Sequence, residues 1–173
     1  EVEYERNISV LPEDILLSSK LNSEQECAYD LILKACFSSH GHSFFIDGLG
    51  GTGKTFLYRL LLVTLRSQGH ITIAVATSEI AAAILPGGRI AYSRFKIPLD
   101  FSKSKTCQLS KQGSVAKLLS ESKLILWDEA SMARRETVEA FDDLLKDIME
   151  SSLPFGGKVV VFCGAFRQTP HVT

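Results

Sequence analysis

Gly48-Leu49-Gly50-Gly51-Thr52-Gly53-Lys54-Thr55 follows the apolar run Ser43-Phe44-Phe45-Ile46-Asp47 and precedes Phe56-Leu57-Tyr58-Arg59-Leu60-Leu61-Leu62-Val63. The octapeptide fits G-x-x-x-x-G-K-[ST], and its flanks supply the strand before it and the helix after it that the motif requires. Glycines let the backbone curl so that several N–H groups point at one anion, an approach that side chains would block. A helix beginning near Gly53 adds its unpaired first-turn N–H groups and the positive end of its dipole. The stretch therefore reads as a nucleotide phosphate-binding loop. Gly48, Gly50, Gly51, Thr52 and Gly53 form the cradle, Lys54 reaches the β- and γ-phosphates, and the Thr55 hydroxyl ligates Mg²⁺.

Outward from the loop, β-branched and apolar runs alternate with helical patterns. Ser23-Glu24-Gln25-Glu26 offers a capping box, followed by the stripe Ala28, Leu31, Ile32 and Ala35. The helix after the loop is expected to stop at Gln68-Gly69. Ile71 to Ala76 reads as a buried strand, and Lys123 to Trp127 and Lys158 to Cys163 as two further strands. Thr77-Ser78 caps a brief helix that Pro86-Gly87-Gly88 ends, and a short helix is expected over Ser114 to Leu119. Phe141, Leu144, Leu145 and Ile148 mark one face of a longer one. Strands alternating with helices give an α/β fold, a parallel sheet with both faces covered.

Asp128-Glu129 closes one of those strands, at the edge where an open parallel sheet places its ligand. Were that strand beside the phosphate-loop strand, Asp128 could share the Mg²⁺ with Thr55, and Glu129 could act as general base for an attacking water. Acids at such a position also cap helices. Gln168 follows the last strand and faces the same cleft, where it could report the γ-phosphate.

Composition sets the outer limits. A chain of 173 residues, 45% hydrophobic, fits one ordinary domain with a sizeable core. Cys27, Cys36, Cys107 and Cys163 show no C-x-x-C spacing, which argues against a zinc site or a disulfide framework and suits a reducing compartment. No apolar run is long enough to span a membrane, and no leader pattern opens the sequence. The formal charge of −1 is uneven. The first thirty residues carry −6 and read as an extended acidic lead-in to about residue 20, whereas Pro86 to Ser120 carries +6 and reads as mostly loop to Lys111. Within that basic segment Arg89, Arg94, Phe95 and Lys96 interleave charge with aromatic surface, a composition suited to single-stranded DNA. Tyr92 and Phe95 suit core packing equally well.

These motifs resemble the petite-integration-frequency (Pif-type) 5′-to-3′ DNA helicases of superfamily one, in particular their plant and transposon-associated branch. The likeness runs from about Leu21 to the end. Leu21-Asn22-Ser23-Glu24-Gln25 is similar to the family's adenine-reading segment, which implies an adenine contact for Gln25. Ala76 to Pro98 looks like the first DNA-contacting motif, Asp128-Glu129-Ala130 the metal-and-base motif, and Phe155-Gly156-Gly157-Lys158 with Phe166-Arg167-Gln168 the approach to the third motif. Departures are visible too. Ala165 stands where the family usually has an acid, Pro170-His171 alters the turn beyond it, Ser131 replaces a usual Pro, and Tyr92 and Leu49 replace a frequent His and Pro.

The resemblance implies a first RecA-like P-loop NTPase domain over residues 21–173 that uses ATP and Mg²⁺ and contacts single-stranded DNA. It implies a second RecA-like domain, or a partner, that supplies an arginine finger from outside this sequence. It further implies roles in DNA repair, recombination and telomere maintenance, in the nucleus or mitochondrion. Without the second domain, unwinding by these residues alone is not expected. The competing expectation is a helicase-derived module that binds nucleotide, DNA or protein without catalysis. A small-molecule kinase is disfavoured by the Asp-Glu pair and by the lack of an arginine-rich lid segment.

Overall fold

The computed structural model describes residues 1–10, 20–48 and 53–165. Chain order gives α1 (Val2–Arg6), α2 (Ser23–Cys36), β1 (Ser43–Asp47), α3 (Lys54–Ser67), β2 (Thr72–Ala76), α4 (Glu79–Ile84), β3 (Arg89–Ile90) and α5 (Ala91–Arg94). It continues with α6 (Ser114–Glu121), β4 (Leu124–Asp128), a 3₁₀ turn (Ala130–Met132), α7 (Arg135–Met149), a second 3₁₀ turn (Pro154–Gly157) and β5 (Val160–Gly164). All five strands run parallel in the order β1-β5-β4-β2-β3.

Side-chain alternation along the inner strands separates two cores. Ala74, Ala76, Leu124, Leu126, Val161 and Cys163 face α2, α3 and α4, whereas Ile73, Val75, Ile125, Trp127, Val160 and Phe162 face α6 and α7. On the second face Phe95 stacks on Phe141 at 4.7 Å between centroids, and Trp127 meets Phe141 edge-on at 5.3 Å. This is the doubly covered parallel sheet that alternating strands and helices foretell.

Local signals set most boundaries, with two shifts. The capping box of α2 is formed by Asn22 and Gln25 rather than by Ser23 and Glu26: Gln25 N–H donates to Asn22 Oδ1 (2.9 Å) and Asn22 N–H to Gln25 Oε1 (3.1 Å). Both sets fit the box pattern, and the one chosen starts the helix one residue earlier. Helix α3 ends as its sequence indicates, with Gly69 at φ +83° and His70 N–H closing onto Leu65 O at 3.0 Å.

The acidic lead-in departs further from expectation. Its first residues form α1, whose Glu5 is only 2% exposed. Arg94 donates from Nη2 to Glu5 Oε1 and from Nη1 to Glu1 Oε2, both at 2.6 Å, while Arg66 Nη2 lies 3.9 Å from Glu5 Oε2. Burial pushes the Glu5 carboxyl up, and the Arg94 and Arg66 guanidinium groups pull it back. The basic segment is mostly irregular from Phe95 to Gly113, as expected, but it opens on two short elements. Arg89 and Ile90 pair with Val75 and Ala76 as a short edge strand, and one turn of helix follows.

Lys158, beside the start of β5, donates to Ser120 O (2.5 Å) and Ser122 O (2.9 Å). Burial, helped by the nearby Lys123 charge, holds its ammonium down to about 8 against an ordinary 10.5. The unfolded chain therefore binds more protons between those values, so Lys158 adds stability as pH rises from about 8 toward 10.5. Urea midpoints across that interval should move in favour of the wild type over Lys158→Met. A difference that stays flat with pH refutes this.

Candidate active site

The C-terminal ends of β1, β5, β4 and β2 form one rim, and most of the chemistry predicted from sequence gathers there. At the β1 end, Gly48 N–H donates to Gly164 O at 3.2 Å, which ties the start of the phosphate loop to the end of β5. Lys54, the first residue of α3, sends Nζ to Gly48 O and to Gly164 O (3.4 Å). An ammonium has three donors, so two go to these carbonyls and the charge stays at the mouth of the loop.

Gly53 caps α3 at φ +79°, a left-handed conformation that favours glycine. A Cβ on it would lie 2.5 Å from Gln25 Nε2. The start of α2 thus closes over Gly53, and Gln25 borders a cleft of about 380 Å³ with Asn22, Ala28, Asp47, Gly48 and Lys54. That volume lies in the range of small-ligand pockets. Thr55 is exposed in the first turn of α3. Gly50, Gly51, Thr52 and Gln168 lie outside the described residues.

Strand order corrects one premise. The phosphate-loop strand is not beside the Asp128 strand, because β5 pairs with β1 on one side and β4 on the other. At about 4.8 Å per strand, the β4 end stands roughly 10 Å across the rim from the β1 end. Asp128 is half-buried at the end of β4, and its Oδ1 accepts the Glu129 N–H at 2.8 Å. Burial pushes its carboxyl up, and the Glu129 charge adds to this. The Glu129 N–H and the Lys54 charge oppose it.

Glu129 sits at φ 54° and ψ 31°, heading the 3₁₀ turn. Its Oε2 accepts the Ser78 N–H (3.2 Å), and its carbonyl accepts the Thr77 hydroxyl (2.8 Å). Sequence reading gave Thr77 and Ser78 a capping role and placed them in the stretch likened to a DNA-contacting motif, with no link to Glu129. Ser78 does cap α4, accepting from Ala81 N–H at 3.2 Å. The signal for their second role is position, since both follow β2 directly and β2 neighbours β4.

The DNA-binding set divides. Arg89 and Lys96 are exposed, and Lys96 borders a cleft of about 520 Å³ with Tyr92, Ser93, Pro98 and Lys103. Phe95 is 0% exposed and packed on Phe141 and Trp127, so it has no face for a base. Arg94 is 6% exposed and neutralised by Glu1 and Glu5. Both are corrections. A helix one turn long has an inner side, and residues Arg94 and Phe95 at its end fall on it.

The family model of PIF1-like helicases matches residues 20–173. The chain is 29% identical over 167 residues to the ATP-dependent DNA helicase PIF1 of Danio rerio, covering 96% of this chain and 24% of that protein. It is 31% identical over 159 residues to the PIF1 of Trypanosoma brucei brucei, covering 90% and 15%. Among solved structures it resembles a Bacteroides Pif1 helicase in complex with ADP-AlF3 and ssDNA (TM-score 0.69, 30% identity). It also resembles the Pif1 helicase of Candida albicans (TM-score 0.73, 25% identity); each superposition covers 88% of this chain and 34% of the other. The chain thus spans a quarter or less of these two curated relatives and about a third of the solved chains. The sheet is a RecA-like P-loop fold, and the chain belongs to the PIF1-like helicase family.

Proposed function

We propose that this chain is the nucleotide-binding and hydrolysing first domain of an ATP-dependent 5′-to-3′ DNA helicase. The observation that carries the proposal is the rim itself: the Lys54 ammonium lies at the joined ends of β1 and β5, and Asp128 and Glu129 close β4 on the same rim. Related helicases named as ATP-dependent, and one solved with ADP-AlF3 and ssDNA, support the reading. Lys54, the N-terminus of α3 and the glycine loop bind the phosphates, and Gln25 lies where it can read the base.

Thr55 and Asp128 are the residues that would hold Mg²⁺. The fit rests on Asp128, whose half-buried carboxylate is held up by burial and would gain from a cation. Among the described residues there is no cluster of three acidic, His or Cys ligands. Mg²⁺ at such sites needs only one or two protein groups beside the phosphates. When bound, it neutralises charge developing on the phosphate oxygens. Glu129 takes the proton of the attacking water.

Arg89 and Lys96 remain as candidate contacts to single-stranded DNA. Without an arginine from a second domain, turnover should fall short by about 10³-fold or more, and strand separation by these residues alone should be absent.

The test is a calorimetric titration of Mg·ATP into the chain, with Lys54→Ala alongside. Binding that vanishes in the variant is expected. Equal heats in both proteins would remove Lys54 from the site. No binding in either would favour a non-catalytic module, a reading to which Ala165 already points. That residue is buried immediately after β5, where the family usually carries an acid.

A further inference from the structure

Glu129 is held at both polar atoms of its backbone and at its carboxylate, by Asp128, Thr77, Met132 and Ser78, and Thr77 is the one of these that also bonds Trp127. Thr77 N–H donates to Asp128 O at 3.1 Å, extending the β2–β4 ladder one residue past the strand. The Thr77 hydroxyl donates to Glu129 O at 2.8 Å and accepts from the Trp127 indole Nε1 at 3.0 Å. A hydroxyl is a free rotor until a donor fixes its lone pairs. Here the indole does so, and the hydroxyl proton is left pointing at Glu129. Trp127 is itself immobilised among Phe95, Phe141 and Phe162.

Such a grip has a physical reason. A left-handed conformation is disfavoured for an L-residue and persists only where the surroundings over-determine it. Glu129 carries a Cβ and occupies that region, so its carboxylate direction depends on the contacts that keep the turn. We propose that Thr77 is a positioning residue for ATP hydrolysis: its hydroxyl, aimed by Trp127, fixes the turn that presents Glu129 at the rim of the sheet. This rests on the ATPase reading above. Thr77 acts through Glu129, whose carbonyl its hydroxyl holds.

Thr77→Val removes the hydroxyl at nearly constant shape, Thr77→Ser restores it, and Trp127→Phe removes the donor that aims it. The measurement is single-turnover ATP hydrolysis with protein in excess, together with Mg·ATP affinity by calorimetry. The chain has one Trp, so a single indole N–H resonance reports the hydrogen bond and the fold in the Thr77 variants.

In Thr77→Val the rate should fall by about 10²-fold, the scale of a misplaced catalytic group, with affinity within about twofold and the indole resonance shifted. Thr77→Ser should regain both the rate and the resonance, and Trp127→Phe should slow hydrolysis in the same direction. An unchanged rate in Thr77→Val with a shifted indole resonance overturns the proposal, because the bond would then serve packing only. Should Thr77→Val not fold, an unchanged rate in Trp127→Phe overturns it instead. A wild type that binds Mg·ATP without hydrolysing it overturns the ATPase reading and the inference with it, and it is told apart by its own zero rate.

Discussion

Glu129→Gln is expected to bind Mg·ATP as the wild type does and to hydrolyse it about 10²–10⁴-fold more slowly, the range of a lost general base. The substitution is nearly isosteric. The Gln carbonyl can still accept the Ser78 N–H that now donates to Glu129 Oε2, and the backbone contacts to Thr77 and Asp128 do not involve the side chain. What changes is the charge and the basicity of the side chain. Because Glu129 lies two strands from Lys54, on the far side of β5, removing its charge should leave phosphate binding intact. Calorimetry and single-turnover hydrolysis on the same protein sample give both quantities. A rate within tenfold of wild type would exclude Glu129 as the base. A loss of affinity as large as the loss of rate would place it in binding instead.

The contrast with Lys54 shows how much of the site was legible in the sequence. Gly48, Gly53, Lys54 and Thr55 are neighbours along the chain, so their relation is local, and the flanking strand and helix fix it. The two cores were legible for a similar reason, since a buried parallel strand needs an unbroken apolar run. Relations between strands were not. Nothing in Leu124–Asp128 or Val160–Gly164 states which of them lies next to β1, and both read as interior strands. Their order is decided by how the crossover helices pack, and β5 takes the middle. The bracket of Thr77 and Ser78 on Glu129 was hidden for the same reason, because it joins residues about fifty positions apart across a sheet whose order was unknown. Phe95 failed differently. Alternating basic and aromatic residues describe a DNA-binding strip and the buried edge of a one-turn helix equally well, and only the position of α5 against Trp127 and Phe141 selects the second.

Glu5→Ala is expected to cost the fold about 3–5 kcal/mol, the penalty for breaking a buried ion pair from one side. By charge alone the first residues are a solvated acidic segment, for which removing one carboxylate should matter by less than about 0.5 kcal/mol. The structure reverses that expectation for one residue. Glu5 lies between the guanidinium groups of Arg94 and Arg66, and all three side chains are almost wholly buried. Without Glu5, Arg94 keeps, among the described residues, the partly exposed Glu1 as its acidic partner. Arg66 keeps the Pro86 and Thr72 carbonyls, which carry no charge to offset its own. Burial already holds the Arg66 guanidinium below its usual range, with Glu5 opposing that shift, so losing Glu5 removes its main compensation. Glu3, on the exposed side of the same short helix, is the internal control. Urea unfolding should show a large fall in midpoint for Glu5→Ala and almost none for Glu3→Ala. Equal and small shifts in the two would mean that α1 does not hold Arg94 in place, and that Arg94 belongs once more with Arg89 and Lys96 as a cation available to DNA.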